Sequence, residues 1–436
     1  MPVTSTSKPN QRIFAIALPM IISNIAAPLL GLVDTAIIGH LPDAIYLSAV
    51  ALGATAVSFM VLLTVFLRMT TTAEIAAAFG ADDYQQQQQI SVHALLLALL
   101  LGLLLTLISP WLIALSVNLM TTEPRLAELT TDYMQIRLLA LPATLVNLVV
   151  LGILIGRQQA RLAMLLVIAI NLFNVIGNLI LIIGFKLNVV GAAWASFFAE
   201  LSTAVIGLYL IRSVLPPTTA WRVETVTMQR FIGMNTDVMI RSLLLQLCLA
   251  MMTIYASRFG TTVVAANAIL MQFLLLIALG LDGISYAVEA LVGAARGQGN
   301  PGMVKFWMKH SLRWSMLFAL AYSVIFWLWG DAIISLLTNL PEVIEQVKIV
   351  LPWLWLMPLV AHWSYFYDGV FIGLGYTKAM RNTMAISALA VFFPTWYITT
   401  QLLFSSTNAN HGLWLALLLF MAARGLSQAL WLRGKY

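Results

Sequence analysis

The chain has 436 residues, of which 61% are hydrophobic and 9% charged, with a formal net charge of +6. A soluble domain carries about 25% charged residues, so this composition cannot keep an ordinary surface wet, and most of the surface must face lipid. The single Cys248 excludes a disulfide framework. The cations are scattered over short loops, which argues against a nucleic-acid surface and suits contact with anionic lipid.

Continuous apolar runs of about 20 residues recur along the chain, each enough to cross a bilayer core. Period-two alternation, the mark of a membrane β-barrel, is absent. An all-α membrane protein is expected, with twelve spans near 13–38, 45–68, 90–117, 133–156, 161–184, 189–212, 231–257, 262–291, 306–336, 347–373, 380–404 and 411–432. The first run is too long for the apolar core of a signal peptide and lacks a small-residue cleavage site, so it reads as an uncleaved span. The glutamines at 85–89 read as the start of a polar loop. The longest polar interval, "PPTTAWRVETVTMQR" at 216–230, reads as a cytoplasmic linker. It leaves an N-terminal lobe at 1–214, a linker at 215–230 and a C-terminal lobe at 231–436, each lobe with six spans. An even span count puts both termini on one side. Fifteen lysines and arginines fall on that side, against Arg125, Lys186, Arg258 and Lys348 on the other. The positive-inside rule therefore places both termini in the cytoplasm.

The halves resemble each other. "GILIG" at Gly152–Gly156 returns as "GVFIG" at Gly369–Gly373, and Gly80 in "AFGADD" pairs with Gly297 in "ARGQGN" at the same offset. "VGAAWA" around Gly191 is echoed by "HGLWLA" around Gly412. Six spans per repeat give two lobes of parallel topology, related by an axis along the membrane normal. In transporters of that kind substrate binds between or within the repeats, and rocking of one on the other gives alternating access.

Charges inside the spans are the candidates for function, because an intramembrane ionisable residue is expensive. Asp34 lies deep in span 1 with no lysine or arginine near it in sequence. Burial disfavours the charged form of a carboxyl group, so Asp34 is suited to take up and release a proton. Pro19 and Pro28 precede it, each removing a backbone hydrogen bond and letting the helix bend. In span 5, Asn171, Asn174 and Asn178 share one helical face and are expected to face Asp34 or a wet cavity, or else to join helices. In span 7, Asp237 and Arg241 are four apart and are expected to pair. Asp282 and Glu289 in span 8, seven apart on one face, and Asp368 in span 10 are second-lobe candidates, with Asp282 and Asp368 expected either to line a cavity or to serve a structural role. Glu200 lies within span 6. "RGQGNPG" at 296–302 lacks the Gly-Lys-Ser/Thr end of a phosphate loop, and the five histidines show no metal spacing. No metal site and no catalytic group are expected. The many Met and aromatic residues would, in a cavity, suit loosely specified apolar cations.

The chain resembles the multidrug and toxic compound extrusion (MATE) family, in its DNA-damage-inducible F branch. The similarity covers nearly the whole length. It rests on "LALPMIISN" and "GLVDTAIIGHL" in span 1, "DVMIRSLLLQ" in span 7, "LDGISYAVEA" in span 8, and "DGVFIG" with "MRNTMA" around span 10. The resemblance implies two six-helix lobes around a central cleft, and antiport in which drug-like, often cationic compounds leave as protons or sodium ions enter. Asp34 matches the family's essential carboxylate in span 1, and Pro19 its kink proline. Asn174 and Ser196 match polar positions around that carboxylate. Asp368 falls near a cation-binding carboxylate of other branches. The family usually carries a second carboxylate four residues after the asparagine matched by Asn174. Here Asn178 stands there, which weakens a two-carboxylate sodium site and favours proton coupling.

The expectation is thus a monomeric antiporter of the inner membrane for small amphiphilic or cationic substrates, in contact with lipids, with no cofactor beyond the coupling ion. A flippase for lipid-linked precursors, of related fold, is the alternative. It would need more cations in its cavity than Arg241, with Arg137, Arg313 and Arg424 nearer the span edges. An intramembrane enzyme would need a metal cluster or a nucleophile–base pair, and the spacing shows neither.

Overall fold

The computed structural model describes residues 8–39, 41, 43–217, 221, 224–403 and 409–435, and among them every regular element is helical. Among the described residues, eleven helices are long and apolar enough to cross a membrane. These are spans 1–3 (Pro9–Gly39, Ala44–Gly80, Tyr84–Leu107), spans 5–8 (Ala160–Gly184, Asn188–Leu210, Thr225–Phe259, Thr261–Gly297) and spans 9–12 (Pro301–Leu337, Pro341–Gly373, Thr377–Gln401, Ala409–Arg433). Span 4 is the twelfth, made by Pro124–Leu139 and Leu141–Gly156 with a 49° bend between them. Pro142 in the first turn of the second segment explains the break, since it has no N–H to continue the ladder.

Two local expectations change. The glutamine run at 85–89 is not loop but the opening of span 3, because the Asp83 side chain caps that helix by accepting from the Gln86 N–H at 2.8 Å. The stretch expected as one span at 90–117 ends at Leu107, and a separate helix, Ser109–Met120, restarts with Pro110 in its first turn.

The repeat appears as packing. Between helices in lipid there is no hydrophobic drive, so close backbone approach at small residues matters most. In span 4, a Cβ at Gly152 would lie 2.7 Å from the Arg68 carbonyl oxygen, and one at Gly156 would lie 2.9 Å from Ile75, both in span 2. In span 10, a Cβ at Gly369 would lie 2.7 Å from the Ser285 carbonyl oxygen, and one at Gly373 2.9 Å from that of Glu289, both in span 8. Spans 2 and 8 also end in the same turn: Asp82 (φ 53°) and Gly299 (φ 62°) are left-handed, and Asp83 and Asn300 then cap the next helix. Span 5 finishes in a π-helical turn, Leu179–Gly184, directly after Asn178, and span 11 carries two such turns, Ser387–Phe392 and Ile398–Leu403. Single π turns inside helices often mark functional positions.

The chain divides into two compact units. The first runs Leu18–Asn235 around a core that includes Val57, Tyr133, Met134, Leu138, Ile182 and Ala193. The second takes the residues up to Ala17 with those from Thr236 onward, around Phe273, Phe326, Leu354, Phe392 and Trp414. The division differs from the lobe limits read from sequence at both seams. The start of span 1 belongs to the second unit, where Trp314 Nε1 donates to Asn10 Oδ1 at 3.0 Å and stacks edge-on against Phe14. The start of span 7, including 225–230 of the expected linker, belongs to the first. There Thr70 Oγ1 donates to Asn235 Oδ1 at 2.7 Å, and Arg230 pairs with Glu74 at 3.1 Å.

Candidate functional site

The first unit assembles a polar chain around Asp34. Span 1 is one continuous helix through Pro19 and Pro28. The Ser23 and Thr35 hydroxyls donate to the carbonyls of Pro19 (2.9 Å) and Gly31 (2.7 Å). Asn178, the last residue before the π turn of span 5, donates Nδ2–H to Asp34 Oδ1 at 2.6 Å and to Asn174 Oδ1 at 2.9 Å. Asn174 Nδ2 in turn donates to Ser196 Oγ of span 6 at 2.7 Å. Both asparagines are buried, whereas Asp34 is partly exposed. Asn178 Oδ1 is buried with no hydrogen-bond partner. Asn171 stands outside this chain, and its buried Nδ2 also lacks a partner. Of the sequence candidates, the structure thus brings together Asp34, Asn178, Asn174 and Ser196, and leaves Asn171 aside.

A cavity of about 850 Å³ adjoins this chain. Val33, Ile37, Ile182 and Ile183 line it, with Lys186 and Asn188. Ile37 and Ile182 lie one turn beyond Asp34 and Asn178 on their helices, so the polar chain and the cavity share an edge. The volume and apolar lining suit a drug-sized ligand.

The second unit treats its carboxylate differently. Asp368 is buried, and its Oδ2 accepts from Arg241 Nη2 and, at 2.7 Å, from Arg424 Nη2. Its Oδ1 accepts from Gln428 Nε2 at 3.0 Å. Asp282 is half-buried on span 8. Glu289 is buried, its carbonyl against Gly373.

This overturns the expected Asp237–Arg241 pair. Arg241 turns to span 10, while Asp237 Oδ1 accepts from Arg381 Nη1 at 2.7 Å and its Oδ2 from Thr377 Oγ1 at 3.2 Å, both in span 11. Spacing of four makes a pair possible, but each charge finds its partner on another helix. Arg424 and Gln428 were missed: Arg424 looks like a span-edge cation in sequence, yet it is 3% exposed. Their own spacing of four, on one face of span 12, was the available signal. Glu200 takes a hydrogen bond from Asn147 Nδ2 at 2.8 Å, a partner that sequence spacing does not suggest.

The MatE family model matches two segments of similar length, residues 19–180 and 238–398. The chain belongs to the MatE family. The matched segments open in span 1 and span 7, as a repeat of six spans requires. This MatE chain is 41% identical to the DNA damage-inducible protein F of Escherichia coli (strain K12), over 99% of this chain and 93% of that protein. It is 23% identical to a probable multidrug resistance protein NorM of Thermotoga maritima, over 80% of this chain and 76% of that one. It is 25% identical to multidrug and toxin extrusion protein 1 of Homo sapiens, over 77% and 60%. Its fold matches that of a MOP superfamily transporter from Pyrococcus furiosus with a TM-score of 0.87, at 21% identity over 98% of this chain and 96% of that chain. A structure of MATE in the bent conformation also gives 0.87, at 20% identity and the same coverage. The chain is therefore a multi-pass membrane transporter and not an enzyme.

Proposed function

We propose that this MatE chain is a multidrug efflux antiporter of the inner membrane, with both termini cytoplasmic. It exports amphiphilic, often cationic compounds in exchange for incoming protons, and Asp34 is the coupling carboxylate. The observation that carries this reading is the 2.6 Å hydrogen bond from Asn178 to Asp34. An amide serves both charge states of its partner. Nδ2–H stabilises the carboxylate, and the unpartnered Oδ1 can accept from the carboxylic acid after a modest rotation of either group. A second carboxylate at position 178 would instead hold a cation or force the two acids to share a proton, which is why Asn178 supports protons over sodium.

The cavity beside Asp34 gives the cycle its competition. With Asp34 ionised, its charge offsets that of Lys186 at the cavity and admits a cationic amphiphile. With Asp34 protonated that offset is gone, and span 1, weakened at Pro19 and Pro28, bends and narrows the cavity. Cargo leaves outward, and the proton leaves inward.

The test is ethidium export from proteoliposomes under an imposed proton or sodium gradient, for wild type and Asp34→Asn. Proton-driven export should fall by about 100-fold in the variant, the low end of what a positioned acid–base group contributes. Undiminished proton-driven export by Asp34→Asn would sink the proposal, and sodium-driven export that survives the substitution would move coupling to the second unit.

A further inference from the structure

Glu200 has no role in the cycle above, yet it is an intramembrane carboxylate held in place. It sits on span 6, accepting from Asn147 Nδ2 of span 4, and the same nitrogen reaches Thr203 Oγ1 at 3.2 Å. Ser196, where the chain from Asp34 ends, lies one turn before Glu200 on the same helix face. The polar groups thus run from Asp34 through Asn178, Asn174 and Ser196 to Glu200 and Asn147, across spans 1, 5, 6 and 4.

The two carboxylates lie at different depths. At 1.5 Å per residue, Asp34 is about 8 Å from the Gly39 end of span 1, and Glu200 about 18 Å from the Asn188 end of span 6. Those ends lie together, since Ile38, Ile182 and Val189 share one packed cluster.

One cation serves both. Arg137 closes the first segment of span 4, at the 49° break, and acts electrostatically on Asp34 and on Glu200. Its Nε and Nη1 are buried without hydrogen-bond partners, so those two donors are committed to neither carboxylate. The other titratable or charged groups on elements packed against span 6 are Arg125, Glu128, Asp132 and Tyr133 on the Arg137 segment of span 4, Tyr46 at the start of span 2, Arg161 in the first turn of span 5 and Arg212 just after span 6.

We propose that Glu200 is a second proton carrier, the inner station for the proton that Asp34 takes up. The O–H bond of the Asp34 acid breaks, one forms on the Glu200 carboxylate, and nothing else is consumed. With Arg137 charged, the triad is neutral before and after the step, because one acid and one carboxylate are present each time. The shift therefore restores the Asp34 anion, ready for cationic cargo, without creating net charge in the membrane. This inference rests on the antiport reading above and adds a residue to it.

The experiment is the pH profile of ethidium export in proteoliposomes at a fixed pH difference, for wild type, Glu200→Gln, Glu200→Asp and Asp34→Asn, with thermal unfolding as the folding check. Glu200→Gln should cut the rate about tenfold and move the midpoint of the profile by about one pH unit, and Glu200→Asp should restore the midpoint. Should Glu200→Gln not fold, Asn147→Ala, which leaves the carboxylate in place but loosens it, should shift the midpoint in the same direction by less. A rate lowered equally at every pH, or a midpoint unmoved in both variants, overturns the proposal. Asp34→Asn separates the two ideas: if it exports normally the antiport reading fails, whereas its failure alongside an unmoved Glu200→Gln midpoint removes only the second carrier.

Discussion

The two units are built on one repeat and hold their intramembrane carboxylates in opposite ways. Asp34 meets a chain of amides and a hydroxyl, neutral groups that tolerate a carboxylate or an acid. Asp368 meets two guanidiniums and an amide that donates to it. Protonating Asp34 trades one hydrogen bond for another. Protonating Asp368 would leave two buried cations facing a neutral group. The fold is thus shared while the partners differ: one carboxylate is held by neutral amides, and the other by two cations that tie spans 7, 10 and 12 together.

Breaking the fixed site should cost most in stability. Asp368→Asn leaves Arg241 and Arg424 without their anion, and losing one partner of a buried ion pair costs about 3–5 kcal/mol. A large drop in thermal unfolding midpoint is expected. Asp34→Asn, in contrast, should unfold close to wild type while losing proton-driven export. Equal stability losses in the two variants would erase the distinction between the units.

A substitution that makes the first site more like an ion site sharpens the comparison. Asn178→Asp puts a second carboxylate within hydrogen-bond reach of Asp34. Two acids then share a proton or hold a cation. Proton-driven export should drop about tenfold, the weight of roughly one pH unit of altered affinity, and a sodium gradient should begin to drive ethidium export in the same vesicles.

How much of this was readable in the sequence depends on whether a partner is near in the chain. The spans followed from hydropathy, and the repeat from glycine pairs that turn out to be close contacts in both halves. Asn174 and Asn178 were readable as one helical face, and Asp34 as the charge needing them. The pairing in the second site was not, because Asp368 takes its cations from 127 and 56 residues away, although Asp368 and Arg241 stood out singly and Arg424 and Gln428 share one face of span 12. The local rule misled at Asp237 and Arg241, where spacing of four offered a pair and the tertiary structure gave each a different one. Asn171 shows the same limit: it has the right spacing, but its buried Nδ2 finds no partner in the chain.

The smallest effect is expected at the end of the amide chain. Ser196→Ala removes one neutral acceptor, worth about 1 kcal/mol. It should lower the export rate only a few-fold, without changing which gradient drives transport, as read in the same vesicle assay. A complete loss would mean that Ser196 touches the proton directly.

The measurement that meets the central claim most directly is an infrared pH-difference titration of the purified protein, wild type against Asp34→Asn, following the protonated-carboxyl band as the solution is acidified. A carboxylate held by amides and arranged to change charge predicts that Asp34→Asn removes intensity from that band. A band unchanged by Asp34→Asn would contradict the account, because the carboxyl that titrates would then lie elsewhere.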